Sequence, residues 1–346
     1  MKTIRLGKTG LKVSRIGIGG IPIQRPPLDE AIKVIQRALD LGVTFIDTAL
    51  GYGTSEERIG KGIAGRREEV ILATKGGRRD KATTLEHIET SLKRLNTDYI
   101  DLWQFHNVST FEAYQQAVGP GGGMEGAQEA LKAGKIRHIG VSSHNIDVAL
   151  KMVSSGLFET IQFPFNFVTC EPADELVPLA RECDVGFIAM KPFAGGNLSD
   201  ASLAIKYLLQ FDTVVPDPGV EKIGEIEEIV DIVNGSWELT SQNRQKMEEI
   251  RTELGTRFCR QCMYCMPCPQ GVEIWLLMYI RNLWRLWPPK EFFPWAKRVV
   301  ESGKNCIQCG ECEEKCPYNL PIREMIVENS EFYQRVAREH DANQKR

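Results

Sequence analysis

Residues 70–106, VILATKGGRRDKATTLEHIETSLKRLNTDYIDLWQFH, contain the pattern that decides the fold. The runs at its two ends, VILATK (70–75) and YIDLWQFH (99–106), are mainly apolar, as are strands of a parallel sheet that is buried on both faces. Between them, TLEHIETSLKRLN (84–96) repeats its apolar residues at the 3.6-residue spacing of an amphipathic helix. The stretch therefore predicts a strand, a helix and a second strand parallel to the first.

The same alternation extends from Arg15 to about Val233. Six more apolar runs bring the total to eight: RIGIGG (15–20), FIDTA (45–49), HIGVSS (138–143), TIQFPF (160–165), GFIAMKP (186–192) and TVVPDPG (213–219). Eight strand–helix units in about 220 residues fit a closed (β/α)8 barrel better than an open sheet. The opening stretch TIRLGKTGLKVSR (3–15) predicts a small hairpin over the bottom of the barrel.

Composition and charge exclude several classes of protein. The chain of 346 residues has a formal net charge of −3, which does not favour binding to nucleic acid. Its apolar runs are shorter than the roughly 20 residues of a membrane-spanning helix, and MKTIRLGKTG (1–10) lacks the apolar core of a signal peptide. These features predict a cytoplasmic protein with no membrane span.

Eight of the ten cysteines lie in two tight groups after residue 258. The second group, C-x2-C-x2-C-x3-C-P (306–317), has the spacing of a bacterial ferredoxin. The first group, C-x2-C-x2-C-x2-C-P (259–269), has one residue fewer before its last cysteine. Thiolates at this spacing let a short loop wrap one corner of a [4Fe-4S] cubane while backbone N–H groups face its sulfurs. The pattern predicts two [4Fe-4S] clusters.

In ferredoxins with two clusters, the fourth cysteine of each run ligates the other cluster. On that model the two ligand sets are Cys259, Cys262, Cys265 and Cys316, and Cys306, Cys309, Cys312 and Cys268. Structural zinc is the alternative, but zinc sites usually join two C-x2-C pairs that lie a dozen or more residues apart. Cys170 and Cys183 are isolated, which is typical of buried inert thiols.

The fold class is therefore α/β, a (β/α)8 TIM barrel with a C-terminal α-helical ferredoxin-like domain that holds two iron–sulfur clusters. We place the barrel in 1–235, a connecting helix in 236–256 and the iron–sulfur domain in 257–346. Residues 272–300 contain four of the six tryptophans. This segment could enter a membrane, form a partner surface such as a homo-oligomer interface, or cover the clusters. A cover is favoured because tryptophans exclude water over a large area.

The barrel motifs resemble those of a known family. Five stretches are similar, in order and position, to motifs of the aldo-keto reductases: FIDTALGYGTSEE (45–57), ATK (73–75), DLWQFH (101–106), GKIRHIGVSSHN (134–145) and TIQFPFN (160–166). The cysteine-rich end resembles a branch of that family with a C-terminal ferredoxin-type [4Fe-4S] domain. The resemblance implies an oxidoreductase that interconverts a small carbonyl compound and its alcohol with NADH or NADPH.

The resemblance also implies a catalytic tetrad of Asp47, Tyr52, Lys75 and His106. All four lie at or just after the carboxyl ends of predicted strands, the end of a barrel where active sites lie. Tyr52 would give a proton to the alkoxide that hydride addition creates, and Lys75 is expected to lower the phenol pKa from about 10. Asp47 would hold Lys75 in place, and His106 would orient the substrate carbonyl.

A nicotinamide pocket follows from the same resemblance. The matching positions for the carboxamide and the ring are held by hydroxyl, amide, methionine and phenylalanine side chains. The full set of predicted nucleotide contacts is Gly20, Ile21, Ser142, Ser143, Gln162, Met190, Lys191, Phe193, Gly219, Lys222 and Glu225.

The stretch after strand eight bears on the choice of nucleotide. Val220 and Glu225 stand where the family often has a serine and an arginine that bind the adenosine 2′-phosphate, and Lys222 is the one basic residue nearby. Because a carboxylate repels a phosphate, this stretch favours NADH.

Three functional hypotheses are consistent with these patterns. The first is a nicotinamide-dependent oxidoreductase whose clusters exchange electrons with a redox partner protein. The second is an electron-transfer or regulatory module that binds nicotinamide without turnover. The third is a carbonyl reductase with purely structural clusters. The complete tetrad favours turnover, but the sequence does not separate the first hypothesis from the third.

Overall fold

The computed structural model describes residues 1–344 and divides into two compact units, Met1–Met247 and a second unit that begins at Glu248. The first unit is a (β/α)8 barrel, which confirms the fold class that the alternating apolar and amphipathic stretches predict. The second unit is built from helices and two cysteine-rich loops. Each unit is described by itself below.

A hairpin precedes the barrel, as predicted. Its strands β1 (Thr3–Arg5) and β2 (Lys12–Ser14) are antiparallel. Leu6 and Val13 are buried in one cluster with residues of five barrel strands, namely Phe45, Ala73, Leu102, Ile188 and Val215. Phe45 is the first residue of its strand. The hairpin therefore covers the amino-terminal end of the barrel, and the other end is left for the site.

Eight parallel strands form the barrel wall, and strands that are consecutive in the sequence are neighbours in the sheet. Gly19 N donates to Pro218 O at 2.8 Å and joins the last strand to the first. The strands are β3 (Gly17–Gly19), β4 (Phe45–Asp47), β5 (Ile71–Gly76), β6 (Ile100–Phe105), β7 (Ile136–Ser142), β8 (Thr160–Pro164), β9 (Gly186–Met190) and β10 (Val214–Asp217).

Helices follow each barrel strand and pack their apolar faces on it. They are α1 (Leu28–Asp40), α2 (Ser55–Gly62), α3 (Lys81–Leu95), α4 (Phe111–Val118), α5 (Gly123–Lys132), α6 (Ile146–Ser154), α7 (Leu176–Glu182), α8 (Ala201–Leu209) and α9 (Ile223–Asn234). Helix α3 begins three residues earlier than its apolar repeat predicts. The reason is a cap, because the Asp80 carboxylate accepts a hydrogen bond from Thr83 N at 2.9 Å.

The remaining helices are α10 (Ser241–Gly255), α11 (Ile274–Leu286), α12 (Pro289–Gly303), α13 (Glu311–Glu314) and α14 (Ile322–Gln344). α10 begins in the first unit and continues into the second. α11, α12 and α14 enclose an apolar core that includes Leu277, Phe292 and Ile326. Among residues 1–344, no helix is long and apolar enough to cross a membrane.

The tryptophan-rich segment forms α11 and most of α12. Trp284, Trp287 and Trp295 pack on the apolar core of the second unit, and five cluster cysteines border the same core. Trp287 and Trp295 meet edge to face, with ring centroids 5.4 Å apart. All four indoles are half-buried, whereas a complete cover predicts that most of them are buried. The role of the segment as a cover stays a prediction.

Candidate functional site

Asp47 and Lys75 form a buried ion pair at the carboxyl end of the barrel. Asp47 is the last residue of β4, and Lys75 is the next-to-last residue of β5. The Lys75 ammonium donates to Oδ2 of Asp47, and it also donates to the carbonyl oxygen of Thr48 at 2.7 Å. Both charged side chains are at most 3% exposed. Their mutual attraction is therefore poorly screened, and Lys75 has little freedom to move.

Tyr52 and His106 lie beside this ion pair. The Lys75 Nζ atom lies 5.3 Å from the centroid of the Tyr52 ring. The rings of Tyr52 and His106 meet edge to face with centroids 5.6 Å apart. Backbone bonds fix both positions, because Tyr52 N donates to Ala49 O at 3.0 Å and His106 N donates to Gly76 O at 2.9 Å. The structure thus brings together the four side chains of the predicted tetrad.

The pKa of Tyr52 moves in the direction opposite to the expectation from sequence. Burial raises the pKa of the Tyr52 phenol well above its ordinary value, and the carboxylates of Asp47 and Asp217 raise it further. The prediction that Lys75 lowers this pKa is wrong for the chain without ligands. The physical reason is that burial of the phenol, which is the largest effect, acts together with the charges of Asp47 and Asp217 against the phenolate. Tyr52 is therefore a protonated phenol at neutral pH.

His106 is uncharged at neutral pH. Burial, followed by the charges of Lys75, Arg79 and Lys191, lowers the pKa of His106 to about 3. Arg79 also holds the backbone here, since its guanidinium donates to His106 O at 2.6 Å. A neutral imidazole has one N–H donor and one acceptor nitrogen. It can donate a hydrogen bond to a carbonyl oxygen without giving up a charge.

Sequence reasoning missed Asp217, the last residue of β10. Its side chain is buried beside the tetrad, and Gln162 Nε2 donates to Oδ2 of both Asp47 and Asp217 at 3.1 Å. Gln104 Nε2 donates to the other oxygen of Asp47 at 3.2 Å. A signal was present, because Asp217 is the only charged residue in the apolar run TVVPDPG. A charge within a strand that is buried on both faces needs a partner inside the barrel.

The residues predicted to hold the carboxamide are adjacent in the structure. Ser142 on β7 is paired in register with Gln162 on β8, and Ser143 N donates to Gln162 O at 3.1 Å. The Ser142 hydroxyl accepts a hydrogen bond from Asn107 N at 2.9 Å. The Ser143 hydroxyl contacts the backbone of Asn145 at 3.2 Å. Both serines also stabilise loops of the barrel itself, so their place in a nucleotide pocket stays a proposal.

The other predicted contacts lie along the same end of the barrel. Met190 ends β9, and Lys191 after it has a left-handed backbone with φ of 57°. Phe193 packs against the barrel core, and Ile21 begins the turn after β3. Packing alone explains the glycine at position 20, because a Cβ there would lie 2.8 Å from Asp47 O.

Packing likewise explains the glycine at position 219, since a Cβ there would lie 2.7 Å from the Pro22 ring.

Glu225 caps α9, the helix that follows β10. Its carboxylate accepts hydrogen bonds from Glu221 N at 2.8 Å and from Lys222 N at 3.2 Å. The Lys222 side chain is exposed. A Cβ added at Gly224 would meet no atom within 4 Å, so the start of α9 is open to a ligand. A helix start with open backbone suits a phosphate, but here a carboxylate already lies close to it.

The two cysteine-rich loops share a pattern of backbone φ angles. Gln261 and Met263 in the first loop, and Gln308 and Gly310 in the second, have φ between 60° and 88°. These are the second and fourth residues after the first cysteine of each loop. Alternation of right- and left-handed residues turns successive N–H groups toward one concave side, which suits an anionic group. The Gln261 N–H already donates to the Cys259 sulfur at 3.4 Å.

The structure brings the cysteines together in two sets that cross between the loops. One cavity is lined by Cys268 from the first loop together with Cys306, Cys309 and Cys312, and Cys265 also reaches it. Cys316 interacts with Cys262 and with Cys265, whose thiol pKa burial raises to about 12. Cys268 and Cys316 thus each lie near cysteines of the other loop, and the division into the two ligand sets of the ferredoxin model stays a prediction.

The donor set fits [4Fe-4S] clusters. Eight thiols in two sets supply four sulfurs for each cluster, and the concave loops offer N–H groups to its sulfides. Within residues 1–344, no three His, Cys, Asp or Glu side chains converge tightly enough to hold a single metal ion. The ligands of a cubane bind four different iron atoms, so they need not converge on one point.

Comparisons with known proteins agree with both units. A family model described as the aldo/keto reductase family matches residues 15–205, and one described as a 4Fe-4S dicluster domain matches residues 258–320. The chain is 36% identical over 201 residues to aldo-keto reductase YhdN of Bacillus subtilis; the match covers 53% of this chain and 59% of YhdN. It is 31% identical over 217 residues to the uncharacterized oxidoreductase YqkF of the same organism; that match covers 59% of this chain and 68% of YqkF.

Solved structures show the same barrel. Aldo-keto reductase AKR11C1 from Bacillus halodurans, in its holo form, is 28% identical with a TM-score of 0.64, over 72% of this chain and 96% of that protein. An aldo-keto reductase from Klebsiella pneumoniae, in complex with NADPH, is 22% identical with a TM-score of 0.63, over 72% of this chain and 95% of that protein. At that identity the second comparison supports the fold alone.

Proposed function

Because the chain belongs to the aldo/keto reductase family of oxidoreductases, we propose that it interconverts a small carbonyl compound and its alcohol with a nicotinamide dinucleotide. We further propose that two [4Fe-4S] clusters in the second unit exchange single electrons with this reaction. The observation that carries the proposal is the meeting of Asp47, Tyr52, Lys75 and His106 at the carboxyl end of the barrel.

Tyr52 is the proton donor in this proposal. Reduction of a carbonyl leaves an alkoxide, which is a much stronger base than a phenolate. A phenol with a raised pKa therefore still gives its proton to that oxygen, and it does not lose the proton to solvent beforehand. The Lys75 ammonium, 5.3 Å from the ring centroid, is placed to stabilise the phenolate that forms.

His106 orients the carbonyl and polarises it. Its pKa of about 3 keeps the imidazole neutral at every pH at which the fold is stable. The rate of carbonyl reduction should therefore show no titration of His106 near pH 6.5, the ordinary value for histidine.

The dinucleotide would bind along the carboxyl ends of β7 to β10, with Ser142, Ser143 and Gln162 near its carboxamide and the start of α9 near its adenosine end. When bound, the nicotinamide supplies or accepts a hydride, and the clusters supply or accept one electron each. Carbonyl reduction would use both electrons of the hydride. The two clusters would therefore receive one electron each from NADH only when no carbonyl is bound, with the proton released to solvent, and would pass these electrons to a redox partner protein. The proposed ligand sets are those of the ferredoxin model. In them Cys316 joins the cysteines of the first loop, and Cys268 joins those of the second loop.

The proposal is tested by substrate-dependent nicotinamide oxidation. The chain is purified without air and mixed with NADH or NADPH and a panel of aldehydes and ketones. Turnover that requires a carbonyl supports the proposal. Tight nucleotide binding with no turnover across the panel would instead favour an electron-transfer or regulatory module.

Replacing Glu225 with arginine should shift the nucleotide preference from NADH toward NADPH. The Glu225 carboxylate accepts hydrogen bonds from backbone N–H groups near the start of α9, and its charge repels a 2′-phosphate. An arginine there would add a charge-assisted hydrogen bond, worth about 1.5–3 kcal/mol in relative affinity. Fluorescence titration of both nucleotides on the same variant measures the shift, because any loss of stability affects both titrations equally.

Glu228→Arg is the matched control, since it makes the same charge change at an exposed position of α9. Its preference should stay near that of the wild type. An unchanged ratio of the two affinities in Glu225→Arg would remove the proposed role of this residue, as would tighter binding of NADPH than of NADH by the wild type.

A further inference from the structure

Five polar side chains fill one layer of the barrel interior. Asp47, Lys75, Gln104, Gln162 and Asp217 come from β4, β5, β6, β8 and β10, and each is at most 5% exposed. Hydrogen bonds join Gln162 to both carboxyl groups and to Gln104. The catalytic tetrad uses two of these residues. The role of Asp217 is not explained by the reaction as proposed above.

The charges in this layer do not balance if both acids are ionised. Asp47 and Asp217 would then carry two negative charges against the single positive charge of Lys75. Burial of an uncompensated charge in a barrel interior is costly, and such groups take up a proton instead. One proton on the two carboxyl groups leaves one carboxylate for one ammonium.

Hydrogen-bond donors show which carboxyl group keeps its charge. Asp47 receives three donors, from Lys75, Gln104 and Gln162. Asp217 receives one, from Gln162, and its Oδ1 atom is buried without a hydrogen-bond partner. A carboxylate is stabilised by several donors, whereas a protonated acid needs fewer and can itself donate. The two carboxyl groups accept hydrogen bonds from the same Gln162 Nε2 atom, each at 3.1 Å, so they are neighbours inside the barrel.

We propose that Asp217 is a positioning residue for the tetrad. Asp217 shares one proton with Asp47, so that a single carboxylate charge remains beside Lys75. The consequence for Tyr52 rests on the proposed function. The groups that face Asp217 are Asp47, Lys75 and Tyr52. While Asp217 is protonated, the charge near the phenol is nearly neutral. If Asp217 loses its proton, its negative charge makes the Tyr52 phenolate harder to form.

The electrostatics of the layer agree with this geometry. Burial, and next the charge of Asp47, raise the pKa of Asp217 well above the ordinary value for aspartate. In the unfolded chain Asp217 ionises near pH 3.9. The folded state thus binds one more proton than the unfolded state above that pH, and the free energy of unfolding falls as the pH rises toward the raised native pKa.

The direct test is infrared spectroscopy of the folded chain at pH 7.5, which needs neither nucleotide nor substrate. A protonated carboxyl group has a C=O stretching band that is separate from the bands of carboxylates. The difference spectrum between wild type and Asp217→Asn should show the loss of one such band. Asp101→Asn is the matched control, because Asp101 is also buried but forms ion pairs with two guanidinium groups, those of Arg67 and Arg137. That variant should lose no carboxylic-acid band.

A second measurement uses stability. The Tm of Asp217→Asn minus that of the wild type should rise steadily from pH 5 to pH 9, because the asparagine cannot lose a proton. If Asn at this position prevents folding, Gln162→Met replaces it in the infrared experiment: it removes the one donor to Asp217 and keeps both carboxyl groups, so the carboxylic-acid band should remain at pH 7.5. Where turnover is found, the alkaline limb of the reduction profile of Asp217→Asn should move to lower pH, since the carboxylate that opposes Tyr52 ionisation is gone.

Two results would overturn the proposal. One is a difference spectrum in which Asp217→Asn removes only carboxylate bands. The other is a Tm difference that stays constant from pH 5 to pH 9. Neither depends on catalysis. A chain that reduces no carbonyl but loses the acid band in Asp217→Asn would therefore refute the proposed function and keep the shared proton.

Discussion

Tyr52→Phe is expected to lower kcat for carbonyl reduction by about 10²–10⁴-fold, the usual contribution of a positioned general acid. The variant removes one oxygen atom from a ring that keeps its contacts with His106 and Lys75. The proton for the alkoxide must then come from water, which is a weaker acid and is not oriented. The dissociation constant of the nucleotide should change by only a few-fold, because the phenol contributes little to holding the dinucleotide. Steady-state kinetics and a fluorescence titration on one preparation measure both quantities.

Tyr99→Phe is the matched control for this prediction. Tyr99 lies just before β6, at the opposite end of that strand from His106, and its hydroxyl donates a hydrogen bond to Glu68 at 3.3 Å. Activity of Tyr99→Phe should equal that of the wild type. If nucleotide affinity collapses together with kcat in Tyr52→Phe, the phenol binds the nucleotide and is not the acid.

Lys75→Met should also abolish reduction. Because this variant leaves Asp47 as a buried unpaired charge, its folding must be measured as well.

The second large effect concerns the cysteines. The chain purified without air should be brown and should contain about eight iron and eight sulfide ions, as two [4Fe-4S] clusters require. Cys316→Ala should remove one cluster and Cys268→Ala the other, each lowering the iron content to about half. The reason is that Cys268 lines one cavity with three cysteines of the second loop, and Cys316 lies near two cysteines of the first, Cys262 and Cys265. Iron and sulfide analysis with electron paramagnetic resonance of the reduced chain distinguishes the two remaining clusters.

Cys183→Ala serves as the control, since Cys183 is an isolated thiol just after α7 and should leave the iron content unchanged. Two outcomes would contradict the ligand sets. The first is a colourless chain with one or two zinc ions. The second is the same surviving cluster in both Cys316→Ala and Cys268→Ala.

The sequence predicted the barrel because its signals are local and repeated. Each apolar run, such as VILATK (70–75), is long enough to mark a strand, and each helix has a clear apolar face. The tetrad was predicted from the resemblance to the aldo-keto reductases, and strand geometry supported it, because parallel strands end on one side of the barrel and bring Asp47 and Lys75 together across β4 and β5. The start of α3 was not predicted correctly, because its cap at Asp80 lies outside the apolar repeat.

Electrostatic properties were harder to predict, because they depend on every charge that the fold brings near a group. Lys75 suggested a lowered pKa for Tyr52, but burial and the carboxylates of Asp47 and Asp217 act in the opposite direction. Asp217 is 170 positions after Asp47 in the sequence, so only the closed barrel places it there. Glu225 was predicted to disfavour a 2′-phosphate, and the structure shows that it also caps α9.

Anaerobic stopped-flow mixing with NADH tests most directly whether nicotinamide chemistry and the clusters are coupled. The iron-loaded chain is mixed with excess NADH, and the visible absorbance of the clusters is followed alongside that of the nicotinamide. We expect the cluster absorbance to bleach as NADH is consumed, with up to two electrons per chain, one for each cluster. If the cluster absorbance stays unchanged in a preparation that does oxidise NADH with a carbonyl substrate, the clusters are structural and the proposed coupling is wrong.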